Sequence, residues 1–197
     1  CFYYMFLIFS ISEQLIGETL PLTSLHVPMN IIDSKSSLIV IKPDDEYCFS
    51  DSIDWLRIEP QKRYILECKS KSIENKIFHI KCYRNILSVS NEDNKSRINL
   101  NLIYFQPIVK LRNLLPYSIT YSIQGIDEAY DVPIGSDADL SLIKLGETGL
   151  FVTLCNYLNY DWICHKKLSA FGEDNEVFTW TFTAVGCVER RTTDLAV

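Results

Sequence analysis

Seven cysteines, three histidines and twenty-five carboxylates are the groups in this 197-residue chain that could attack a substrate, ligate a metal or move a proton. Their spacing argues against all three roles. Cys164-His165 sets a thiol beside an imidazole, but neighbours on a strand point to opposite faces and cannot pass a proton in line. His26 and His79 have no HxH or HExxH partner to complete a metal site. Asp44-Asp45-Glu46 follows Pro43 and lacks the alternating acids and central glycine of a calcium loop, so it reads as a solvated turn. Gly146-Glu-Thr-Gly149 has neither dinucleotide nor Walker spacing and leads into a strand, which makes it a hairpin turn and not a phosphate cradle. Tyr117 to Tyr121 could stack on sugars or bases, yet alternating tyrosines are also what a strand packs with. An enzymatic or carbohydrate-binding sandwich would need a cleft gathering His165, Asp161 and Glu147. The expectation is a non-catalytic chain with no metal and no cofactor.

Composition narrows the classes further. Hydrophobic residues make up 47% and charged ones 22%, enough apolar material for a packed core and too much for disorder. A formal charge of -6 leaves no basic excess for nucleic-acid phosphates. The cysteines, at 1, 48, 68, 82, 155, 164 and 187, are odd in number and contain no CxxC. They read as reduced, mostly buried thiols of a cytosolic protein. The longest apolar stretch, Cys1 to Phe9, is far below the ~20 residues of a spanning helix and reads as a core strand. Opening on Cys and closing on the strand-like Thr193-Asp-Leu-Ala-Val197, the chain looks like a piece of a longer polypeptide.

The elements that must position these residues follow from periodicity. Ile98-Asn-Leu-Asn-Leu-Ile-Tyr-Phe105 alternates with period two, as a half-buried strand does. Further strands are expected at Ser37 to Ile41, Ile53 to Ile58, Tyr64 to Cys68, Ile77 to Cys82, Ile108 to Leu111, Tyr117 to Gln124, Leu140 to Leu145, Leu150 to Tyr157 and Phe178 to Val185. Turn signals separate them at 91–96, Gly125-Ile-Asp-Glu128, Gly135-Ser-Asp137 and Gly172-Glu-Asp-Asn175. No helical period is sustained between strands, which excludes a βαβ sheet and predicts an all-β, antiparallel sandwich.

The chain also rhymes with itself. Leu25-His-Val-Pro-Met29, Ser37-Leu-Ile-Val-Ile41 and Ser52-Ile-Asp-Trp55 are echoed in order by Tyr130-Asp-Val-Pro-Ile134, Asp139-Leu-Ser-Leu-Ile-Lys-Leu145 and Asn159-Tyr-Asp-Trp162, at an offset of about 105 residues. The expectation is tandem β-sandwich repeats of about one hundred residues: the end of one in 1–60, a complete one in 61–172 and the start of a third in 173–197. Val27-Pro28 and Val132-Pro133 would mark strand edges, where a proline's missing donor is tolerated. Trp55 and Trp162 would each supply a large ring beside a turn carboxylate.

The segment Ile108-Val-Lys-Leu-Arg-Asn-Leu-Leu-Pro-Tyr-Ser-Ile-Thr-Tyr-Ser-Ile-Gln-Gly125 resembles the adaptor-binding region of the vacuolar protein sorting-associated protein 13 family, with its strand-Asn-Leu-Leu-Pro-strand signature. The likeness continues through Gly135-Ser-Asp-Ala-Asp139 and Gly146-Glu147 to Asn159-Tyr-Asp-Trp162. Upstream, Val27-Pro28 and Ile39-Val-Ile-Lys-Pro43 look like linking strands of a preceding repeat. The resemblance implies a fragment of an adaptor-binding domain within a very large bridge-like lipid transfer protein. It would be cytoplasmic and peripheral at organelle membranes and their contact sites, and would act in vacuolar and endosomal protein sorting. Its partners would be organelle adaptors bearing Pro-x-Pro peptides and the neighbouring repeats; lipid would be handled by other parts of the parent, and nucleic acid not at all. Asn113, followed by Leu114, Leu115 and Pro116, fits the Asn that the family repeats once per unit, either as an internal staple between strand ends or as an adaptor contact. A spacer repeat with no ligand of its own is the alternative.

Overall fold

The computed structural model describes residues 6–10, 15–20, 23–26, 38–60, 62–90, 97–168, 179–185 and 192–196. Among them there is no helix, and the strands pair antiparallel throughout. The all-β, antiparallel reading of the sequence therefore holds. The chain divides into two compact units, Cys1–Ile108 and Val109–Val197.

The first unit holds β1 (Phe6–Ser10), β2 (Leu15–Thr19), β3 (Leu38–Lys42), β4 (Ile53–Asp54), β5 (Arg63–Lys69), β6 (Ile77–Ser90) and β7 (Arg97–Pro107). They form one sheet in the order β2-β1-β3-β4 and another in the order β5-β6-β7. The alternation of β3 buries Ile39 and Ile41, and that of β5 and β6 buries Leu66, Cys68, Phe78, Ile80 and Cys82. Polar links join the sheets: the Cys48 amide donates to the Lys69 carbonyl at 2.8 Å, and buried Ser50 accepts the Ile41 amide at 3.1 Å. The predicted strand Ile53 to Ile58 stops at Asp54, because the Asp54 carboxylate accepts the Leu56 amide and its carbonyl the Arg57 amide, closing a turn.

The second unit holds β8 (Val109–Arg112), β9 (Ile119–Ile123), β10 (Ala129–Val132), β11 (Asp137–Leu140), β12 (Gly149–Tyr157), β13 (Tyr160–Lys167), β14 (Thr179–Ala184) and β15 (Thr192–Ala196). Six of these make the sheet β10-β9-β12-β13-β14-β15, and β11 pairs with β8. Cross-strand partners share a face, so the register that sets Ile119 against Leu154, Leu154 against Trp162 and Trp162 against Ala184 builds one buried row. That face packs with Leu111, Val132, Leu140, Ile143, Leu168 and Phe182 into a single core. The predicted strand Leu140 to Leu145 differs from the observed one: β11 covers Asp137–Leu140, and residues 141–145 lie outside any strand. Gly146, at φ +79, sits in a turn closed by the Lys144 carbonyl, which accepts the Glu147 and Thr148 amides. This turn joins strands of two different sheets and is not a hairpin.

The period of about 105 residues does not coincide with this division. Strand β3 pairs with β1 and β4, whereas its sequence echo, β11, pairs with β8. Strands β14 and β15, beyond the 172/173 boundary of the period, extend the six-stranded sheet through β13, and β14 buries Phe182 in its core.

Candidate functional site

Between β8 and β9 the chain makes a bend, 113–118, with Pro116 in it. Asn113, at its root, is fully buried. Its Nδ2 donates to the carbonyls of Tyr117 (2.8 Å), Val132 (2.9 Å) and Pro133 (3.2 Å). Two hydrogens serve three carbonyls, so one is shared. Its Oδ1 accepts the Leu115 amide at 3.0 Å, an Asx turn that starts the bend. Its own amide donates to Ser136 at 2.9 Å, and its carbonyl accepts from Gly135 at 3.0 Å, where φ is +70. One side chain thus fastens the β8–β9 bend to the β10–β11 turn. Only an amide, carrying donors and an acceptor together, can satisfy all these groups.

The rest of the signature divides by exposure. Leu115 packs against the core, while Leu114 is 71% exposed and Pro116 points to solvent. Tyr117 meets Tyr157 edge to face at 5.2 Å, and Tyr157 leans on Trp162 at 6.0 Å. The indole of Trp162 donates to the Tyr157 carbonyl at 2.8 Å, so the buried ring also ties the β12–β13 hairpin. That hairpin carries three residues with left-handed backbone, Asn156, Leu158 and Asn159, and Leu158 is 66% exposed. Periodicity gave no sign of Leu158's strained position, since leucine is not a residue expected at positive φ.

The linking residues fall in different settings. Val132 ends β10 buried and Pro133 follows it exposed, its carbonyl taken by Asn113 and by the Ser136 amide at 3.1 Å. Trp55 is half-buried in the turn after β4, unlike Trp162 on its strand. Val27 and Pro28 lie outside the described residues. Exposed His26 precedes them.

The residues with chemical potential are not gathered. His165 faces away from buried Cys164 and stacks on Phe151 at 4.2 Å. Asp161 lies four residues from it along one strand, about 13 Å by strand rise, and accepts the Asn156 amide. Glu147 pairs with Lys144 at 3.0 Å. Buried His79 has its Nε2 3.6 Å from Glu67. In the Asp44-Asp45-Glu46 turn, Asp44 accepts the Glu46 amide and Asp45 pairs with Lys42, which holds the Asp45 carboxyl below its ordinary range. No group of three or more potential metal ligands occurs among the described residues. A cavity of about 250 Å³ lined by Ser52, Ile53, Asp54, Arg57, Ile58 and Tyr64 is smaller than ordinary small-molecule pockets. Its Asp54 and Arg57 neutralise each other at 3.0 Å.

Cys48, Cys68, Cys82, Cys155 and Cys164 carry free thiols. Burial pushes Cys68 and Cys82 up to about 12, with nearby Cys48 and Asp51 adding to the effect at Cys68. Cys164 is raised for the same reason. Such thiols stay protonated and are poor nucleophiles.

Comparison with known proteins sets this architecture among segments of very long chains. No protein-family model matches. The chain is 24% identical over 94% of its length to mouse "Intermembrane lipid transfer protein VPS13A", of which it covers 6%. It is 26% identical over 78% of its length to both mouse and human "Intermembrane lipid transfer protein VPS13C", covering 4% of each. The antiparallel β chain is thus similar to short stretches of intermembrane lipid transfer proteins, spanning 4–6% of their length. This likeness accords with the resemblance to the vacuolar protein sorting-associated protein 13 family read from its residues. Among the described residues no helix is long and apolar enough to cross a membrane.

Proposed function

We propose that this chain is a non-catalytic, adaptor-binding part of a large lipid transfer protein, docking Pro-containing segments of organelle adaptors and so directing the parent to membrane contact sites and vacuolar or endosomal sorting. It works in the cytoplasm, peripheral to organelle membranes, and lipid is carried by other parts of the parent. The alignment with the VPS13 proteins along nearly the whole chain carries this reading. An extended peptide adds to a sheet edge through its main chain. In a Pro-x-Pro sequence both prolines fall at positions whose missing N–H would point the same way, so they can face outward while the residue between them pairs with the edge.

A spacer role is the second reading, and the full burial of Asn113 favours it for that residue: a side chain whose donors and acceptor are all taken by its own backbone has none left for a ligand. Titrating the fragment, alone and extended by neighbouring segments of its parent, with Pro-x-Pro peptides tests both. Saturable binding by the fragment alone is the expected result. Binding by the extended protein alone would make this piece a spacer.

A further inference from the structure

Strand register gathers several connections of the second unit at one end. Ile119 pairs with Val132 and Leu154, Leu154 with Trp162, and Trp162 with Ala184. The bend 113–118, the turn 133–136, the β12–β13 tip 156–160 and Val185 all lie beyond that row, and Tyr117 touches Tyr157 across it. Among the described residues, five of the second unit's six exposed large apolar side chains sit at this end: Leu114, Leu158, Ile134 (60%), Val185 (52%) and Tyr117 (44%). Exposed apolar residues are ordinarily scattered; gathered, they mark an interaction site.

Three observations bear on what this end meets. The connections 113–118, 133–136 and 156–160 contain no Asp, Glu, Lys or Arg, in a chain with 22% charged residues. At the other end of the unit, 124–128 and 141–148 carry Asp127, Glu128, Lys144 and Glu147. The nearest charges lie at the roots of the uncharged connections, where Arg112 pairs with Asp137 at 2.8 Å and Asp161 accepts the Asn156 amide.

The main chain at this end is also bonded within itself. Asn113 takes the Tyr117, Val132 and Pro133 carbonyls and the Leu115 amide, and Trp162 takes the Tyr157 carbonyl. Pro116 and Pro133 have no amide to satisfy. An apolar medium offers no hydrogen bonds, so a loop enters it with such groups already bonded; capture of a peptide through its main chain needs them open. Finally, the most exposed side chains are the aliphatic Leu114 and Leu158, while Tyr157 and Tyr160 are half-buried. That is the order of a bilayer interface, with aliphatic groups reaching acyl chains and tyrosines at headgroup level. Leu158 is presented there at the cost of a left-handed backbone, φ +54.

We propose that this end of the second unit is a membrane-contact tip, with Leu114 and Leu158 entering the headgroup boundary of an electrically neutral bilayer. Insertion there takes no charge out of water. A net charge of -6 and a tip without cations give no attraction to anionic lipid. A few aliphatic side chains bury little area, so the contact is weak and reversible. This inference does not rest on adaptor docking.

The test is flotation of the whole chain with small phosphatidylcholine vesicles at millimolar lipid, with no peptide present. The expected result is a bound fraction that grows with lipid, resists added salt and does not rise when part of the lipid is phosphatidylserine. Leu158→Asp places a carboxylate in the tip at a backbone conformation that Asp tolerates, and should lower the bound-to-free ratio about tenfold. Leu114→Asp should do the same from the neighbouring bend, and Leu158→Asp stays decisive if that bend is disturbed. Ile65→Asp, at an exposed apolar position of the first unit, should leave binding unchanged, with circular dichroism reporting the fold of each variant. No binding to phosphatidylcholine, or binding only when phosphatidylserine is present, would overturn the inference. So would binding that survives Leu158→Asp or is weakened equally by Ile65→Asp. If the unsubstituted chain ignores vesicles and Leu158→Asp abolishes binding of a Pro-x-Pro peptide, this end docks protein and the inference falls.

Discussion

Asn113 gathers more hydrogen bonds than any chemistry the sequence offered. The Asn-Leu-Leu-Pro signature pointed to it, but its bonding could not be read from sequence, because Val132, Pro133 and Ser136 reach it only through the fold. Asn113→Ala strips the donors from three carbonyls and the acceptor from the Leu115 amide. At about 1–3 kcal/mol per buried group left unsatisfied, a loss of about 3 kcal/mol is expected in urea unfolding. Asn113→Asp gives a sharper test. A carboxylate there would face carbonyl oxygens while buried, so its folded pKa rises above the unfolded value of about 3.9, and the protonated form is the one the fold accepts. Stability of this variant is therefore fully present below about pH 4 and falls as pH rises, by up to about 1.4 kcal/mol per pH unit until the folded pKa is passed. Denaturation midpoints from pH 4 to 8 that run parallel to those of the parent chain would show that residue 113 is not buried among carbonyls. The thiols give a third residue-scale expectation: Cys48 and Cys155, exposed, react with a disulfide reagent in the folded state, while Cys68 and Cys82 react only on unfolding.

At the scale of elements, strand existence was legible and strand ends were not. Alternation located β3, β5, β9 and β12 because each buries one face. It stopped β6 at Cys82, the last fully buried residue, since from Asn85 to Val89 the strand is exposed on both faces and apolar residues stop reporting a core; pairing with β7 continues it to Ser90. It extended the strand at Leu140 through Leu145 because Ile143 and Leu145 also pack inward, from a turn. β10 and β13 were not expected, being charged and polar on their outer faces; β13 buries only Trp162 and Cys164. The β12–β13 hairpin offers a stabilising substitution. Leu158 holds φ +54 while mostly exposed, so it bears the left-handed penalty with little burial in return. Asn tolerates that conformation, and Leu158→Asn is expected to raise stability by about 0.5 kcal/mol. A thermal midpoint that drops would mean the exposed leucine packs against something in solution.

At the scale of the whole chain, two divisions compete, one from sequence period and one from packing. The period groups 61–172 as a complete repeat, while packing groups 109–197. They make different demands on a shorter piece. Residues 109–197 keep the six-stranded sheet, the β8–β11 pair and the core that fills them, including Phe182 and Ala184 from β14. Residues 61–172 lose β14, exposing the side of β13 opposite β12, and lose Phe182, one of the largest fully buried side chains. Removing a buried Phe alone costs about 3–5 kcal/mol, comparable with the whole stability of a small domain. The same piece takes β5 and β6 away from Ile39, Ile41 and the Ser50 bond that complete the first unit's core. Expressed separately, 109–197 is expected to unfold cooperatively in urea with a dispersed amide spectrum, and 61–172 to lack both. The reverse outcome would make the sequence period the folding unit and β14 a strand lent by the following repeat. Within the intact chain, Phe182→Ala should lower the unfolding midpoint read by Trp162 in the second unit's core, because it removes a fully buried ring that β14 contributes to that core.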